Sequence, residues 1–212
     1  MYGITLSAGK SLGLMSGAMA LGIGLLASAG MASAQTPVNR LVVWNGEDAN
    51  VGSSWVNPTR STFAPQTAEA HSGNTALEFK FTGNNEWIGG GWSWYAFKTG
   101  DDVGTDTTPF KTFSFWVKTR GKPIAFRLNF LCNGQVLDTP EHHSLRINVQ
   151  DYVPDVFDGN WHEVRIPLQD LVASPGFNAK VVSQIQLDLS VGADVDDSIF
   201  IDDIAFDDQP AR

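Results

Sequence analysis

Hydrophobic and polar residues alternate in short runs along most of the chain after residue 40. In the run 112–118, Phe113, Phe115 and Val117 alternate with serine, tryptophan and lysine. Such a period of two is typical of β-strands that have one buried and one wet face. Runs of this kind predict about nine strands, at residues 41–44, 75–82, 86–97, 112–118, 124–130, 145–150, 161–167, 185–189 and 199–206.

Turn residues separate these runs, and no long run has the period of an α-helix. The sequence predicts one helical turn at residues 169–171, loops at 100–109 and 174–179, and a frayed tail at 207–212. Antiparallel strands with one hydrophobic face bury those faces by packing two sheets together. We therefore expect an all-β fold, a two-sheet antiparallel β-sandwich.

The N-terminal segment has a different composition. Residues 12–34 are uncharged, Lys10 precedes them, and Ala32-Ser33-Ala34 has the small-residue pattern that signal peptidase cleaves. This predicts a signal peptide over residues 1–34 and a sandwich domain over residues 35–212. The alternative is an uncleaved hydrophobic helix, because this segment is long enough to span a hydrocarbon core of about 30 Å. Both interpretations place the domain outside the cytoplasm, periplasmic or extracellular, either free or anchored to the inner membrane.

Composition and charge argue against several classes of partner and site. The chain has 212 residues, with 14 Lys and Arg against 23 Asp and Glu, which gives a net charge of −9. This charge argues against a nucleic-acid partner, because no positive excess exists to displace counterions from phosphates. The one cysteine excludes an intramolecular disulfide framework and a multi-thiolate zinc site.

No set of side chains has the arrangement expected for catalysis. A hydrolase needs two carboxyl groups at a defined separation or an activated nucleophile. The acidic pairs 101–102, 196–197 and 207–208 fall in predicted loops or the tail, where solvation explains them. Asp202 and Asp203 are adjacent on a predicted strand, so we expect them to point to opposite faces. We therefore expect a noncatalytic protein.

Four motifs, taken in order, resemble a known family. They are His71-Ser72-Gly73 before a strand, FSFWVK at 113–118, WHEVRIPL at 161–168 and FIDDI at 200–204. Together they resemble the jelly-roll carbohydrate-binding modules of bacterial glycanases, in the galactose-binding-like superfamily. The resemblance implies a jelly-roll sandwich that binds a polysaccharide or another glycan.

The same resemblance implies a structural calcium ion (Ca2+) at the edge of the sandwich. Carried over to this chain, Glu47 or Asp48 and Asp202 would supply carboxylates, and Gly73 or Asn74 would supply backbone carbonyls. Calcium takes six to eight oxygen ligands and accepts such a mixture. The alternative is that Asp202 caps a turn or pairs with a cation, since a carboxylate on an apolar face needs a partner.

Polar residues on several predicted strands would share one wet face. A sugar has apolar C–H faces and polar edges, so aromatic platforms beside amides and charged groups suit it. The predicted ligand-binding set is Trp92, Trp94, Trp116, Arg127, Asn129, Arg146, Asn148, Gln186 and Asp188. The sequence leaves open whether its three tryptophans lie on this face or in the core. Trp44, Trp87 and Trp161 are expected in the core.

A second hypothesis gives the sandwich a different partner. Gly13 and Gly17 have the spacing of closely packed membrane helices. With residues 12–34 as a transmembrane anchor, the domain would be a periplasmic accessory subunit of a larger membrane protein complex. Its wet face would then dock integral membrane protein subunits, because aromatic and arginine side chains are also enriched in protein interfaces.

Overall fold

The computed structural model describes residues 39–47, 52–57, 61–82, 87–96, 103–122, 124–132, 142–189 and 196–211. Within these ranges the chain forms eleven strands, one short α-helix and a 3-10 turn at Val149–Asp151. The strands are β1 (Arg40–Trp44), β2 (Ser53–Asn57), β3 (Thr62–Gln66), β4 (Ala76–Phe81), β5 (Gly89–Ser93), β6 (Thr112–Thr119), β7 (Phe126–Cys132), β8 (Ile147–Asn148), β9 (His162–Pro167), β10 (Val182–Leu189) and β11 (Asp197–Asp207). The helix is α1 (Leu168–Val172).

The strands pair into two antiparallel sheets, which confirms the predicted sandwich. The first sheet has the order β3-β4-β11-β6-β9. Strand β1 pairs with the second half of β11, beyond the stretch that pairs with β4. The second sheet has the order β2-β5-β10-β7-β8, so β10 lies at its centre.

The hydrophobic residues of the predicted alternation fill the space between the sheets. Phe113 of the first sheet meets Phe130 of the second, with ring centroids 4.7 Å apart in an edge-on contact. Phe206 contacts both rings. Aromatic rings in such contacts bury much apolar area in a specific geometry. The core therefore joins strands that are far apart in the sequence.

The hydrophobic alternation did not predict two of the strands, and both of these lie at the edges of their sheets. Strand β2 has the sequence SSWVN, and β3 has the sequence TFAPQ with a proline inside it. An edge strand tolerates proline because one row of its backbone groups is not needed for pairing. These strands also carry few hydrophobic residues, so no alternation marks them.

Two predicted segments differ from the structure. The strand expected at 145–150 shortens to Ile147–Asn148, because the 3-10 turn Val149–Asp151 follows at once. The tail was predicted to begin at residue 207, but Asp207 is buried and is the last residue of β11. Both carboxylate oxygens of Asp207 accept hydrogen bonds from Nη2 of Arg165, at 2.9 and 3.0 Å.

The predicted N-terminal hydrophobic helix and the boundary after residue 34 lie outside the described residues and stay predictions. Across the described part of the chain, no helix has the length and apolar character needed to cross a membrane.

Candidate functional site

The outer side of the second sheet gathers six of the predicted binding residues. On β10, Gln186 pairs with Asn129 of β7 and with Gly91 of β5. Residues that are paired in an antiparallel sheet project from the same side. Because Ile185 and Leu187 face the core, their neighbours on β10 must face outward. The residues brought together in this way are Arg127, Asn129, Arg146, Asn148, Gln186 and Asp188, and we call this surface the outer face.

A cluster of two arginines and one carboxylate forms one end of the outer face. Arg127 Nε donates to Asp188 Oδ1 at 2.7 Å, and Arg146 Nη1 lies 3.0 Å from Asp188 Oδ2. The carboxylate is almost completely buried, whereas both guanidinium groups are partly exposed. Two positive charges therefore share one negative charge. No further hydrogen-bond partner of either guanidinium lies among the described residues.

Two tryptophans that the predicted set omits form the other end of the outer face. Trp55 of β2 pairs with Gly91, and Trp87 lies two residues before the start of β5. A Cβ atom at Gly89 would collide with the Trp87 ring, and one at Gly91 would collide with the Trp55 indole. The two rings thus lie over glycines two residues apart on the same strand. Their centroids are 6.2 Å apart and their planes differ by 21°.

These two rings form a broad, nearly flat apolar surface that remains accessible. The exposed fraction of Trp87 is 40%, and Trp55 is half-buried. Asn57 holds this end of the sheet by donating from Nδ2 to the Trp87 carbonyl at 2.8 Å. The outer face therefore has an aromatic end at β2 and β5 and a charged end at β7 and β8.

The comparisons with known proteins decide the family. The sequence profile described as carbohydrate binding domain 30 matches residues 36–208, which is most of the chain. The chain belongs to the carbohydrate binding domain 30 family. None of the curated proteins compared with this module matches it.

Solved structures show the same fold at low identity. A family 30 carbohydrate-binding module is 16% identical, covers 82% of this chain and 90% of that chain, and gives a TM-score of 0.61. A family 30 module of a cellulosomal cellulase from Clostridium thermocellum is 18% identical, with coverages of 79% and 96% and a TM-score of 0.59. A family 11 module from the same organism, in complex with a β-1,3-1,4-mixed-linked tetrasaccharide, is 14% identical, with coverages of 81% and 96% and a TM-score of 0.57.

The family membership confirms the predicted jelly-roll resemblance and the noncatalytic character. The matched proteins are carbohydrate-binding modules, which bind sugars without cleaving them. A glycan is therefore the class of partner that these findings support. None of them favours the alternative of a subunit that docks integral membrane proteins.

The structure removes three tryptophans from the predicted binding set. Trp92 pairs with Ile185 and faces the core, where its exposed fraction is 4%. Trp94 is equally buried, and its Nε1 donates to Thr105 Oγ1 at 3.1 Å. Trp116 is on β6 of the first sheet, so it cannot share a ligand with the outer face. The His71 ring also stacks on it, with a centroid distance of 3.6 Å.

The tryptophan assignments depend on which glycine faces outward. Gly91 points outward, so Trp92 must point inward along an alternating strand. Trp87 was expected in the core, but its ring lies on the surface over Gly89. The signal for this platform is the glycine triplet, because alternate glycines leave a flat backbone on which rings can lie.

The predicted calcium ligands surround one turn of the module. Glu47 Oε1 accepts from the Asn74 backbone N–H at 2.6 Å. Asp202 Oδ2 accepts from the backbone N–H groups of His71 and Ser72, at 2.9 and 3.1 Å. Burial raises the pKa of the Asp202 carboxyl, although these hydrogen bonds oppose that shift.

The contacts of this turn leave the calcium prediction untested. The carboxylates of Glu47 and Asp202 are engaged by N–H donors, and the described residues contain no group of three or more acidic, histidine or cysteine side chains able to hold a metal. Asp48 lies outside the described residues. The turn is therefore built by hydrogen bonds, and calcium stays a prediction.

Asp202 and Asp203 were expected to point apart, but both carboxylates reach this turn. Asp203 accepts from Ser72 Oγ at 2.9 Å, and its other oxygen lies 2.9 Å from His71 Nδ1. The pairing of β11 shifts between Asp202 and Ala205, and Asp203 has a φ of 50°. This local bulge breaks the alternation, which is why the expectation was wrong.

Proposed function

We propose that this module binds a neutral polysaccharide across the outer face, from the tryptophan pair to the arginine cluster. The observation that carries the proposal is the pair of rings over Gly89 and Gly91, on the same surface as Arg127 and Arg146. Ligand sites in proteins combine an apolar surface with a few placed polar groups. The apolar C–H side of a sugar ring fits the tryptophans, and its hydroxyl groups fit the amides and guanidinium groups.

The dimensions of the outer face suit several linked sugars rather than one. It crosses four strand intervals, from β2 to β8, and neighbouring strands are about 4.8 Å apart, so the surface is roughly 19 Å wide. A ligand that contacts both ends must therefore be an extended chain. Soluble β-1,3-1,4-mixed-linked glucan is the first probe, because the family 11 module was solved with a tetrasaccharide of this linkage.

Replacing either tryptophan of the platform tests the location of the site. We expect Trp55→Ala and Trp87→Ala to weaken glycan binding by roughly 30-fold each, about 2 kcal/mol, because aromatic anchors dominate binding energy. Isothermal titration calorimetry with soluble polysaccharides measures the change. Trp116→Ala is the matched control, since it removes the same side chain from the opposite sheet. Loss of binding in Trp116→Ala, with both other variants unaffected, would place the glycan on the first sheet.

We also propose that a structural calcium ion binds near the turn formed by His71–Asn74. The support is the arrangement of Glu47 and Asp202 around that turn. A ligand bound only by the native state raises the melting temperature by mass action. We therefore expect EDTA to lower the melting temperature of calcium-loaded protein, as measured by calorimetry. An unchanged melting temperature would show that the hydrogen-bonded turn needs no metal.

Export is a further part of the proposal, and the support for it is the uncharged segment 12–34 with its small-residue cleavage pattern. The intact mass of protein from its native host tests this. A mass matching residues 35–212 is expected for a released module. A mass that includes residues 1–34 would indicate an anchored one.

A further inference from the structure

Two glutamines on β10 form the floor of the outer face. Gln184 and Gln186 project from the outer side of the strand, yet their exposed fractions are 0% and 5%. Trp55 lies directly beside Gln184, because a Cβ atom at Gly91 would meet both the Trp55 indole and the Gln184 side chain. Buried amides at the base of a binding face normally have all their hydrogen-bonding groups satisfied.

The amide of Gln184 has a fixed orientation and one unsatisfied end. Trp55 Nε1 donates to Gln184 Oε1 at 3.3 Å. An indole N–H can only donate, so the oxygen of Gln184 must face Trp55. Gln184 Nε2 is then left as a buried donor with no partner among the described residues.

The side chain of Gln186 has an unsatisfied acceptor instead of an unsatisfied donor. Its Oε1 is a buried acceptor that has no partner in the described part of the chain. Residues two apart on a strand share a face and are roughly 7 Å apart. Two hydrogen bonds of about 2.9 Å to adjacent hydroxyl groups cover a similar distance. One unsatisfied donor and one unsatisfied acceptor therefore project from the same side of β10, and the amide that carries the donor contacts Trp55.

We propose that Gln184 and Gln186 are specificity-determining residues that bind two neighbouring hydroxyl groups of one sugar residue. Gln184 Nε2 donates to one hydroxyl oxygen, and Gln186 Oε1 accepts from the hydroxyl beside it. A hydroxyl group can serve either role, so a vicinal diol complements both orphaned atoms at once. The ring that carries this diol rests against Trp55.

This inference rests on the proposed function and adds a requirement to it. The sugar that rests against Trp55 must carry two adjacent hydroxyl groups without substituents. An O-methyl group can still accept from Gln184 but cannot donate to Gln186. The module therefore discriminates against glycans that are etherified at this position, and buried groups left unpaired make such discrimination strong.

A matched pair of substitutions tests the donor role. Gln184→Glu removes the N–H groups, whereas Gln186→Glu keeps an acceptor oxygen and adds the same charge two residues away. With soluble mixed-linked β-glucan in calorimetry, we expect Gln184→Glu to weaken binding at least tenfold. Gln186→Glu should stay within about threefold of the wild type, since its carboxylate still accepts. Equal losses in both variants, or none in Gln184→Glu, would overturn the inference.

A second comparison keeps the test valid if a buried glutamate prevents folding. Gln184→Met and Gln186→Met each keep a side chain of similar length but remove its amide group. Both substitutions should weaken binding of the unmodified glucan. In the wild type, highly O-methylated glucan should bind at least tenfold more weakly than unmodified glucan. Gln186→Met should abolish most of this difference, which a merely structural role would not do.

The outcomes separate the inference from the proposed function. If wild-type protein binds the glucan and Trp55→Ala does not, but the glutamine variants bind normally, only the inference fails. If wild-type protein binds none of a panel of mixed-linked glucan, cellulose, xylan and mannan, the proposed function fails and the inference fails with it.

Discussion

At the scale of single residues, glycines determine where the tryptophans of the outer face can lie. Gly89 and Gly91 present bare backbone on the outer side of β5, and the Trp87 and Trp55 rings occupy the space that side chains would need. Gly90 points the other way, toward the core. Gly89 and Gly91 thus share one role and Gly90 has another, although the three residues are identical in the sequence.

Alanine substitutions at Gly90 and Gly91 test whether these two glycines have different roles. In Gly91→Ala the new Cβ atom would displace the Trp55 indole, so we expect a roughly tenfold loss of glycan affinity, about 1.4 kcal/mol. In Gly90→Ala the new atom would lie 3.0 Å from the Trp55 carbonyl oxygen and 3.1 Å from Phe79. This change should destabilise the fold by about 1 kcal/mol through overpacking and leave affinity nearly unchanged. Calorimetric titration and urea unfolding measure the two effects, and an affinity loss confined to Gly90→Ala would contradict the assignment.

At the scale of elements, β11 holds the first sheet together and carries a local irregularity at Asp203. It pairs with β4, β1 and β6 along its length. At Asp203 the strand bulges, and two adjacent carboxylates then reach the His71–Ser72 turn. The bulge therefore ties the turn before β4 to the last strand.

The backbone at Asp203 gives a prediction that separates strain from hydrogen bonding. Asp203→Gly and Asp203→Ala both remove the contacts to His71 and Ser72. A φ of 50° suits glycine but crowds the Cβ atom of alanine. We therefore expect Asp203→Gly to be more stable than Asp203→Ala by about 0.5–1 kcal/mol, as measured by urea unfolding. A more stable alanine variant would show that the bulge is absent in solution.

At the scale of the whole molecule, the core between the sheets determines stability. Phe130 has no exposed surface and contacts Phe113 and Phe206 of the other sheet. We expect Phe130→Ala to lower the free energy of unfolding by about 3–5 kcal/mol, because the cavity cannot close fully. Leu145→Ala is the control, since the exposed fraction of Leu145 is 43%. The urea midpoint should fall with an unchanged m-value in Phe130→Ala alone, and equal effects in both variants would contradict this account.

The alternation of hydrophobic residues was enough to predict the sandwich and most of its strands. Phe113, Phe115 and Val117 are all buried in β6, as the pattern predicts. The edge strand β2 carries no such signal, and its Trp55 was missed with it. Edge strands bury fewer residues, so their position is set by pairing with β5 and not by their own composition.

Hydrophobic patterning and composition were sufficient to predict the sandwich, the acidic charge, a noncatalytic protein and the polar residues of the central strands. These features depend on local period and composition, which a single chain displays directly. The position of Trp92 in the core, and of Trp55 and Trp87 on the outer face, became clear only from the folded module. The reason is that a strand has two sides, and long-range pairing with β10 selects which of them faces the other sheet.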